Sequence, residues 1–225
     1  MKIVAVNGSP RKDWNTATLL KNILDGAAQT GAETELVHLY GLNYQGCRSC
    51  FACKMMGKAS YGRCAAKDGL SPLLAAIASE VDALVIGSPI YFGMISGETQ
   101  SFVERLLFPY LVYSNPPSSL FPKKMPSLSV FTMNIDEERA QEMGYPANFA
   151  RQRASLERFL GGPSHTFACY DTCQFADYSK VTMEMMDPAK KMARHKELFP
   201  EECRRARSFG EELARQAASA ATTAG

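Results

Sequence analysis

The feature that most constrains the fold of this chain is a short apolar segment that runs into a glycine-containing loop and then into a helix. Residues 2–7 are rich in apolar and β-branched residues and are followed by Gly8, which is typical of a strand buried on both faces. From Asn15 to Gln29 apolar residues recur at helical spacing, and Gly31 marks the stop. A strand, a glycine turn and a helix in this order indicate the first unit of an α/β fold.

The remaining chain repeats this alternation of strands and helices. Further strands are predicted at 33–39, 83–87, 127–132 and 165–170, and further helices at 70–79, 97–108, 149–160 and 200–219. Parallel crossovers are right-handed and place helices on both faces, so the pattern predicts a doubly wound α/β fold with five parallel strands. We expect one domain over residues 1–225, with a cysteine-rich loop at 40–69 and a C-terminal excursion plus helix at 174–219.

The composition excludes several classes of partner. Lys and Arg total 25 against 23 Asp and Glu, and the formal charge of +2 is too weak to indicate nucleic acid or an anionic membrane surface. No apolar run approaches the roughly 18 to 20 residues of a membrane helix, and the apolar N-terminal stretch is too short for a signal peptide. We therefore expect a cytoplasmic protein whose ligand is a small molecule.

The loop after the first strand has the residues of a phosphate site. Backbone N–H groups of the loop and of the helix N-terminus would bind the phosphate together with polar side chains, which are Ser9, Arg11, Asn15, Thr16 and Thr18. The chain lacks the GxxxxGK(S/T) and GxGxxG patterns, so a terminal monophosphate such as that of FMN fits better than ATP or a dinucleotide. The alternative is a plain turn in which Asn15 caps the helix.

A second loop follows the predicted third strand and supports a flavin. The two loops together resemble the NADPH-dependent FMN reductase and iron-sulfur flavoprotein branch of the flavodoxin-like superfamily. The segments that carry this resemblance are Val6-Asn7-Gly8-Ser9-Pro10-Arg11 with Asn15-Thr16, and Gly87-Ser88-Pro89-Ile90-Tyr91-Phe92-Gly93. The resemblance covers the order of strands and helices over residues 1–170. It implies a flavodoxin-like sheet with the strand order 2-1-3-4-5.

The resemblance also implies which residues contact the cofactor. In that family the first loop wraps the FMN phosphate, and the second loop lies against the isoalloxazine, which assigns the ring to Pro89, Ile90, Tyr91, Phe92 and Gly93. The alternative is that Tyr91 and Phe92 are ordinary core aromatics. A third flavin-facing loop is expected at residues 132–134, Thr-Met-Asn.

By resemblance the chain is an FMN-binding oxidoreductase with NAD(P)H as co-substrate and a flavin, a quinone or another small molecule as acceptor. FMN brings the reactivity, so no catalytic residue is assigned. A homodimer or homotetramer is expected, because flavin sites in this family often lie at subunit interfaces. One alternative is an iron-sulfur flavoprotein that exchanges electrons with redox proteins and has a ferredoxin-like donor. Another is a non-catalytic thiol or zinc sensor.

Four of the seven cysteines lie in the predicted loop, as Cys47-x2-Cys50-x2-Cys53-x10-Cys64. Three thiols in consecutive CxxC steps favour a 4Fe-4S cluster with a more distant fourth ligand. Zinc is a second interpretation, although no histidine falls inside the segment. Unliganded or redox-active thiols are the third. In iron-sulfur flavoproteins the last gap is usually shorter than the ten residues found here.

The same loop is rich in cations. We expect these side chains either to lower thiol pKa values or to be solvated: Arg48, Lys54, Lys58 and Arg63. Outside the loop, Cys169 and Cys203 are predicted to be small core residues.

Overall fold

Alternating strands and helices build the structure, a computed structural model that describes residues 1–222. The strands are β1 (Lys2–Asn7), β2 (Glu33–His38), β3 (Ala83–Tyr91), β4 (Met94–Ile95), β5 (Leu111–Val112), β6 (Ser118–Ser119), β7 (Met125–Thr132) and β8 (Gly161–Cys169). The helices are α1 (Asn15–Gln29), α2 (Ser71–Ser79), α3 (Gly97–Leu107), α4 (Glu137–Glu142), α5 (Tyr145–Leu160), α6 (Pro188–Glu197) and α7 (Phe199–Thr222).

The five long strands form a parallel sheet in the order β2-β1-β3-β7-β8. Counted as the five predicted strands, this is the order 2-1-3-4-5, so the predicted α/β class is confirmed. Two additions were not predicted. β4 pairs antiparallel with β3, and β5 pairs with β6 in a separate hairpin. Strands of two residues are too short to show a period-2 pattern in the sequence.

Successive residues of a strand point to opposite faces of the sheet, and helices cover both faces. Ile3 and Ala5 of β1 pack with α1 and α7, whereas Val4 and Val6 pack with α2, α3 and α5. Burial on both faces explains why the strands are almost continuously apolar. As predicted, Cys169 is buried in the first of these clusters and Cys203 packs against it.

Several elements differ from their predicted bounds. β3 runs on to Tyr91, four residues beyond its predicted end, because its last residues pair with β7 and β4. β8 begins at Gly161 and not at residue 165, and α4 was not predicted. The excursion contains α6, which was not predicted, although Asp187 at its N-cap and Pro188 in its first turn are typical of a helix start.

Whether residues 1–225 form one domain stays a prediction, and residues 223–225 lie outside the described residues. Among the described helices, none combines the length and the apolar character needed to cross a membrane.

Candidate functional site

The loop after β1 lies at the carboxyl edge of the sheet and is held there by hydrogen bonds. The Gly8 N–H donates to the Gly87 carbonyl (2.8 Å), and the Ser9 N–H donates to Asn7 Oδ1 (3.0 Å). The Arg11 N–H donates to Ser9 Oγ (3.1 Å). Short side-chain acceptors of this kind fix the backbone of turns. The loop therefore has a defined conformation before α1 begins.

The N-terminus of α1 has no side-chain cap. Trp14 occupies the N-cap position without a capping hydrogen bond, and Asn15 is the first helical residue. The alternative in which Asn15 caps the helix is therefore wrong. Ser9, Asn15 and Thr16 are buried at this end of the helix. Helix N–H groups without a side-chain cap and the positive end of the helix dipole suit an anion here.

Three side chains at the start of α1 contact the loop that follows β8. Trp14 Nε1–H and Asn15 Nδ2–H both donate to the Cys173 carbonyl, at 3.0 and 2.7 Å. The exposed Arg11 donates to the Gln174 carbonyl (2.6 Å), and its guanidinium lies 4.7 Å from the centroid of the Trp14 ring. Sequence reasoning missed these contacts, because a pairing between distant segments leaves no local pattern.

Thr16 joins the first predicted loop to the third. Thr16 Oγ1 and Thr132 Oγ1 lie 2.8 Å apart, and both residues are buried. Beyond Thr132, the Met133 N–H donates to the Cys169 carbonyl (3.1 Å). Thr18 is half-buried, and its N–H donates to the carbonyl of the N-cap residue. The structure thus brings the loops after β1, β7 and β8 together at one edge.

The second predicted loop is the tip of the β3–β4 hairpin. Tyr91 pairs with Met94, and the two residues between them, Phe92 and Gly93, have φ values of 50° and 81°. A non-glycine residue in this left-handed region costs about 1–2 kcal/mol, and such strain clusters at functional sites. Tyr91 is 45% exposed and Phe92 is fully exposed. The interpretation of these two residues as core aromatics is therefore wrong.

The base of this hairpin is packed against α5. Ile90 packs in an apolar cluster that includes Tyr145. The Gly93 carbonyl accepts from Asn148 Nδ2 (3.1 Å), and a Cβ on Gly93 would lie 3.0 Å from the Tyr145 ring. Pro89 is half-buried and still in register with β7. Contacts with α5 therefore fix the hairpin and present its aromatic tip to solvent.

Gly8 is where the loop after β1 touches the start of α3. Ser96 Oγ donates to the Gly8 carbonyl (2.7 Å) and accepts from the Thr99 N–H (3.3 Å), so that it caps α3. A Cβ on Gly8 would overlap Thr99 Oγ1 and lie 3.1 Å from the Gly87 carbonyl oxygen. Only glycine fits this close approach of the two loops.

His38 borders the same loop from the end of β2. Asn7 Nδ2 donates to His38 Nδ1 (2.9 Å), which requires that nitrogen to be unprotonated. Burial lowers the pKa of His38, and Lys12 and Lys21 lower it further, whereas Asp13 opposes them. The neutral imidazole therefore holds Asn7 in place.

All four predicted metal-ligating cysteines line one cavity of about 150 Å³, between the 40–69 loop and α3. Cys53 is buried and Cys64 half-buried, whereas Cys47 and Cys50 are exposed. Within residues 1–222, no three His, Cys, Asp or Glu side chains are arranged closely enough to hold one metal ion. Ligation by all four thiolates therefore requires the cysteine side chains to come closer together than they are in the structure.

Arg105 of α3 is buried against this cavity. Its Nη1–H donates to Asp68 Oδ2 (2.5 Å) and to the Gln45 carbonyl (3.0 Å). Burial lowers the pKa of Arg105, but Asp68 and Cys64 outweigh burial and the pKa is raised. The buried Nε and Nη2 atoms have no hydrogen-bond partner in the described part of the chain. The apolar stripe of α3 gave no signal for this residue.

The cations of the loop behave differently from one another. Lys54 donates to the carbonyls of Phe108, Pro109 and Leu111 and so anchors the loop beyond the end of α3. Burial raises the pKa of the Cys53 thiol, although Lys54 opposes this. Lys54 thus lowers the pKa of Cys53 as expected, but burial outweighs this effect and the thiol is not activated. The other three cations are exposed: Arg48, Lys58 and Arg63.

A partly buried polar network holds α6 over the end of β8. The Cys169 thiol donates to Glu202 Oε2 (2.7 Å), and burial is the main cause that raises its pKa. Arg194 donates to Glu202 Oε1 (2.6 Å) and lies 3.6 Å from Asp171. Lys191 forms a further ion pair with Asp171. The network positions the loop whose carbonyls contact the start of α1.

Comparison with known proteins identifies a family and several relatives of the chain. The family model described as NADPH-dependent FMN reductase matches residues 1–128. An iron-sulfur flavoprotein of Archaeoglobus fulgidus is 37% identical over 105 residues, which cover 47% of this chain and 48% of that protein. Another from Methanocaldococcus jannaschii is 33% identical over 105 residues, 47% of this chain and 51% of that protein. The chain therefore spans about half the length of these curated relatives.

Solved structures share the fold over nearly the whole chain. NAD(P)H:quinone oxidoreductase from Methanothermobacter marburgensis superposes with a TM-score of 0.66 at 14% identity, covering 95% of this chain and 98% of that one. An FMN-dependent NADH-azoreductase from Bacillus anthracis, in complex with FMN, has a TM-score of 0.59 at 12% identity, covering 95% and 100%. At such identities the likeness shows the fold alone, and the flavodoxin-like prediction is confirmed.

Proposed function

Because the chain belongs to the NADPH-dependent FMN reductase family, we propose that it is an FMN-binding oxidoreductase that moves electrons from NAD(P)H to a flavin, a quinone or another small acceptor. One observation carries the proposal. The N-terminus of α1, which lacks a side-chain cap, and the exposed aromatic tip of the β3–β4 hairpin lie at the same sheet edge. The Gly8 N–H bond to the Gly87 carbonyl links the loop before α1 to β3, the strand that leads into the hairpin.

The start of α1 fits a phosphate group. Backbone N–H groups of the first turn and the hydroxyls of Ser9, Thr16 and Thr18 would bind its oxygens. Arg11 and Asn15 would act here through the loop after β8, since both donate to carbonyls of residues 173–174. Their role would be to hold that loop over the site and to exclude water from it.

The β3–β4 hairpin fits a flat aromatic ring. Tyr91 and Phe92 offer exposed aromatic surface, while Ile90 and Gly93 are fixed by α5. The peptide groups around Gly93 would supply hydrogen-bond donors to the heteroatoms of the ring. Pro89 would lie at the base of the surface that Tyr91 and Phe92 offer to the ring. When bound, FMN supplies hydride acceptance and electron transfer in one- or two-electron steps. The chain binds and orients, and we assign it no general acid or base.

Titration with FMN and with riboflavin, followed by flavin fluorescence, tests this assignment. We expect FMN to bind at least about tenfold more tightly than riboflavin, because only FMN carries the phosphate. Asn15→Ala should weaken FMN binding about tenfold. Asn22→Ala is the matched control, because Asn22 lies on the same helix and donates only to the Thr18 carbonyl. Equal affinities for the two flavins, or a protein that binds neither, would reject the phosphate site.

A second candidate function is electron transfer as an iron-sulfur flavoprotein, with a ferredoxin-like donor. It is favoured by the single cavity that all four cysteines line. Anaerobic purification followed by iron, sulfide and zinc assays distinguishes the candidates. Stoichiometric iron and sulfide support the iron-sulfur flavoprotein, and NAD(P)H oxidation without iron supports the reductase. A colourless zinc protein without affinity for FMN would indicate a sensor.

We also propose that the chain forms a homodimer or homotetramer. An apolar groove of about 520 Å³ runs between α3 and α5 beside the hairpin, and Met94 at its edge is 54% exposed. Fully exposed Phe92 stands next to it. A second copy that covered this groove would remove apolar surface from water. Light scattering during size-exclusion chromatography measures the mass, and a monomer at micromolar concentration would contradict the proposal.

A further inference from the structure

A further pocket lies at the carboxyl edge of the sheet, between the loop after β7 and α6. Its volume is about 530 Å³, a size that suits a small molecule. All its lining residues come from positions 134–191, outside the residues 1–128 that match the family model. It shares no lining residue with the groove between α3 and α5. The pocket therefore adjoins the third loop that is predicted to face the flavin, and it is distinct from that groove.

One wall of this pocket is held by a buried ammonium group. Lys191 is 3% exposed, donates to the Asn134 carbonyl and pairs with Asp171. Asp171 has a φ of 53°, and its N–H donates to the Ile135 carbonyl (2.7 Å). Non-glycine residues in this left-handed region cluster at functional sites. The loops after β7 and β8 therefore form a fixed wall.

The three carboxylates that line the pocket are already engaged. Asp136 caps α4 and Asp187 caps α6, and each accepts from a backbone N–H, at 2.8 and 2.9 Å. Asp171 pairs with Lys191. The positive ends of two helices and one ammonium group thus offset the negative charge of the carboxylates.

Lys190 is left as a free cation of the pocket. It is exposed, and its side chain makes no hydrogen bond or ion pair within the described part of the chain. Arg139 also lines the pocket, and it pairs with Glu142 in an exposed salt bridge (2.8 Å). Exposed salt bridges contribute little, so a ligand can compete for Arg139. An anionic group of a ligand is therefore expected near Lys190.

Methionine supplies much of the remaining lining. Met185 is 91% exposed and Met143 is 51% exposed, and Ile135 and Tyr145 line the pocket with them. Methionine is flexible, and its sulfur makes favourable contacts with aromatic rings. The pocket thus combines a surface for an aromatic ring with a free cation.

The amide of Asn134 is poorly satisfied in this pocket. Its Nδ2–H donates to Met186 Sδ (3.1 Å), and a thioether is a weak acceptor. The buried Oδ1 has no hydrogen-bond partner among residues 1–222. Most buried polar groups are hydrogen-bonded, and each exception calls for an explanation. A ligand that displaced the flexible Met186 side chain would bring a polar group to this amide.

We propose that this pocket binds an anionic aromatic molecule, with its ring against Met143 and Met185 and its anionic group near Lys190. In the function proposed above, on which this step rests, the molecule is the electron acceptor, a quinone that carries an acidic group. NAD(P)H and one proton reduce the quinone to its hydroquinone and leave NAD(P)⁺. The Asn134 amide suits both forms, because Nδ2–H donates to a quinone oxygen and Oδ1 accepts from a hydroquinone hydroxyl.

Calorimetric titration with anthraquinone sulfonate tests the pocket, and hydroxymethylanthraquinone is the uncharged comparator. The quinone ring of both compounds has no free carbon that thiols attack. The protein is first saturated with FMN, so that binding in the flavin site is not mistaken for binding here. A protein without affinity for FMN contradicts the proposed function, and it is titrated as purified. We expect the sulfonate to bind about tenfold more tightly than the comparator.

Lys190→Gln is the informative variant, and Lys196→Gln is the matched control. Both lysines are exposed on α6, but only Lys190 lines the pocket. We expect Lys190→Gln to weaken binding of the sulfonate about tenfold and to change binding of the comparator less than about twofold. Lys196→Gln should bind both compounds as the wild type does. In steady-state oxidation of NAD(P)H, Lys190→Gln should act on KM for the sulfonate more than on kcat.

The proposal is overturned if the sulfonate binds no more tightly than the comparator, or if Lys190→Gln and Lys196→Gln change its affinity equally. Displacement of the sulfonate by NADP⁺ would assign the pocket to the co-substrate and overturn its assignment to the acceptor. Binding that depends on Lys190, without any oxidation of NAD(P)H, would support the pocket and reject the proposed function alone.

Discussion

Replacing Gly8 by alanine tests whether the loop after β1 approaches the start of α3 as closely as the structure shows. The added Cβ would overlap Thr99 Oγ1 and lie 3.0 Å from Thr99 Cβ. Overpacking of this kind costs about 1–3 kcal/mol. Movement of Thr99 also disturbs the Ser96 cap of α3, and a lost N-cap costs about 1 kcal/mol. We therefore expect Gly8→Ala to lower the free energy of unfolding by about 2–4 kcal/mol.

Urea unfolding at equilibrium measures this loss, and a thermal melt gives an independent value. A protein of this size loses about 2–4 °C in Tm for each kcal/mol. Gly97→Ala is the control: it changes the same residue type at the start of α3, where a Cβ would meet nothing within 4 Å. We expect it to stay within about 0.5 kcal/mol of the wild type.

The double variant Gly8→Ala with Thr99→Ala separates the clash from other effects. Thr99→Ala alone removes a hydroxyl that lies 2.8 Å from Ser96 Oγ and should destabilise the protein by about 1 kcal/mol. In the Gly8→Ala background the same change removes the overlapping atom and should restore stability. The argument is refuted if Thr99→Ala destabilises the Gly8→Ala protein as it does the wild type, or if Gly8→Ala is as stable as Gly97→Ala.

Three further predictions concern single residues. The pKa of His38 is lowered in the folded state, so below its ordinary value of about 6.5 the unfolded chain binds more protons and the protein becomes less stable as the pH decreases. His38→Gln should reduce this slope in a plot of unfolding free energy against pH from 5 to 7.5. An unchanged slope would contradict the prediction. Phe92→Asn should stabilise the protein by about 1 kcal/mol, because asparagine tolerates the positive φ of this position. The same variant should bind FMN more weakly. A loss of stability in urea unfolding would contradict the claim that Phe92 is strained. Lys54→Met should speed the reaction of buried Cys53 with a thiol reagent, because three carbonyls lose their donor and the loop loses this anchor. The control Lys58→Met changes an exposed lysine of the same loop and should leave the reaction rate as in the wild type.

The sequence predicted the elements whose pattern is local. Apolar residues in short runs specify strands buried on both faces, and helical spacing specified α1 and α3 nearly to the residue. The candidate phosphate loop could be proposed because a glycine, hydroxyl residues and a helix start lie within a few positions of one another. Residues 88–91 were predicted as loop but are strand, because pairing with β7 and β4 is a tertiary contact.

Only the tertiary structure decided what the candidate side chains face. The sequence by itself determined the α/β class, the strand order through its family resemblance, and the spacing of four cysteines. It did not show that Asn15 contacts a carbonyl 158 residues away, or that Phe92 is exposed at a strained turn. Arg105 is the clearest case. Its burial and its two unpaired donors arise from the packing of α3 under the cysteine loop, and contacts between distant segments leave no period in the chain.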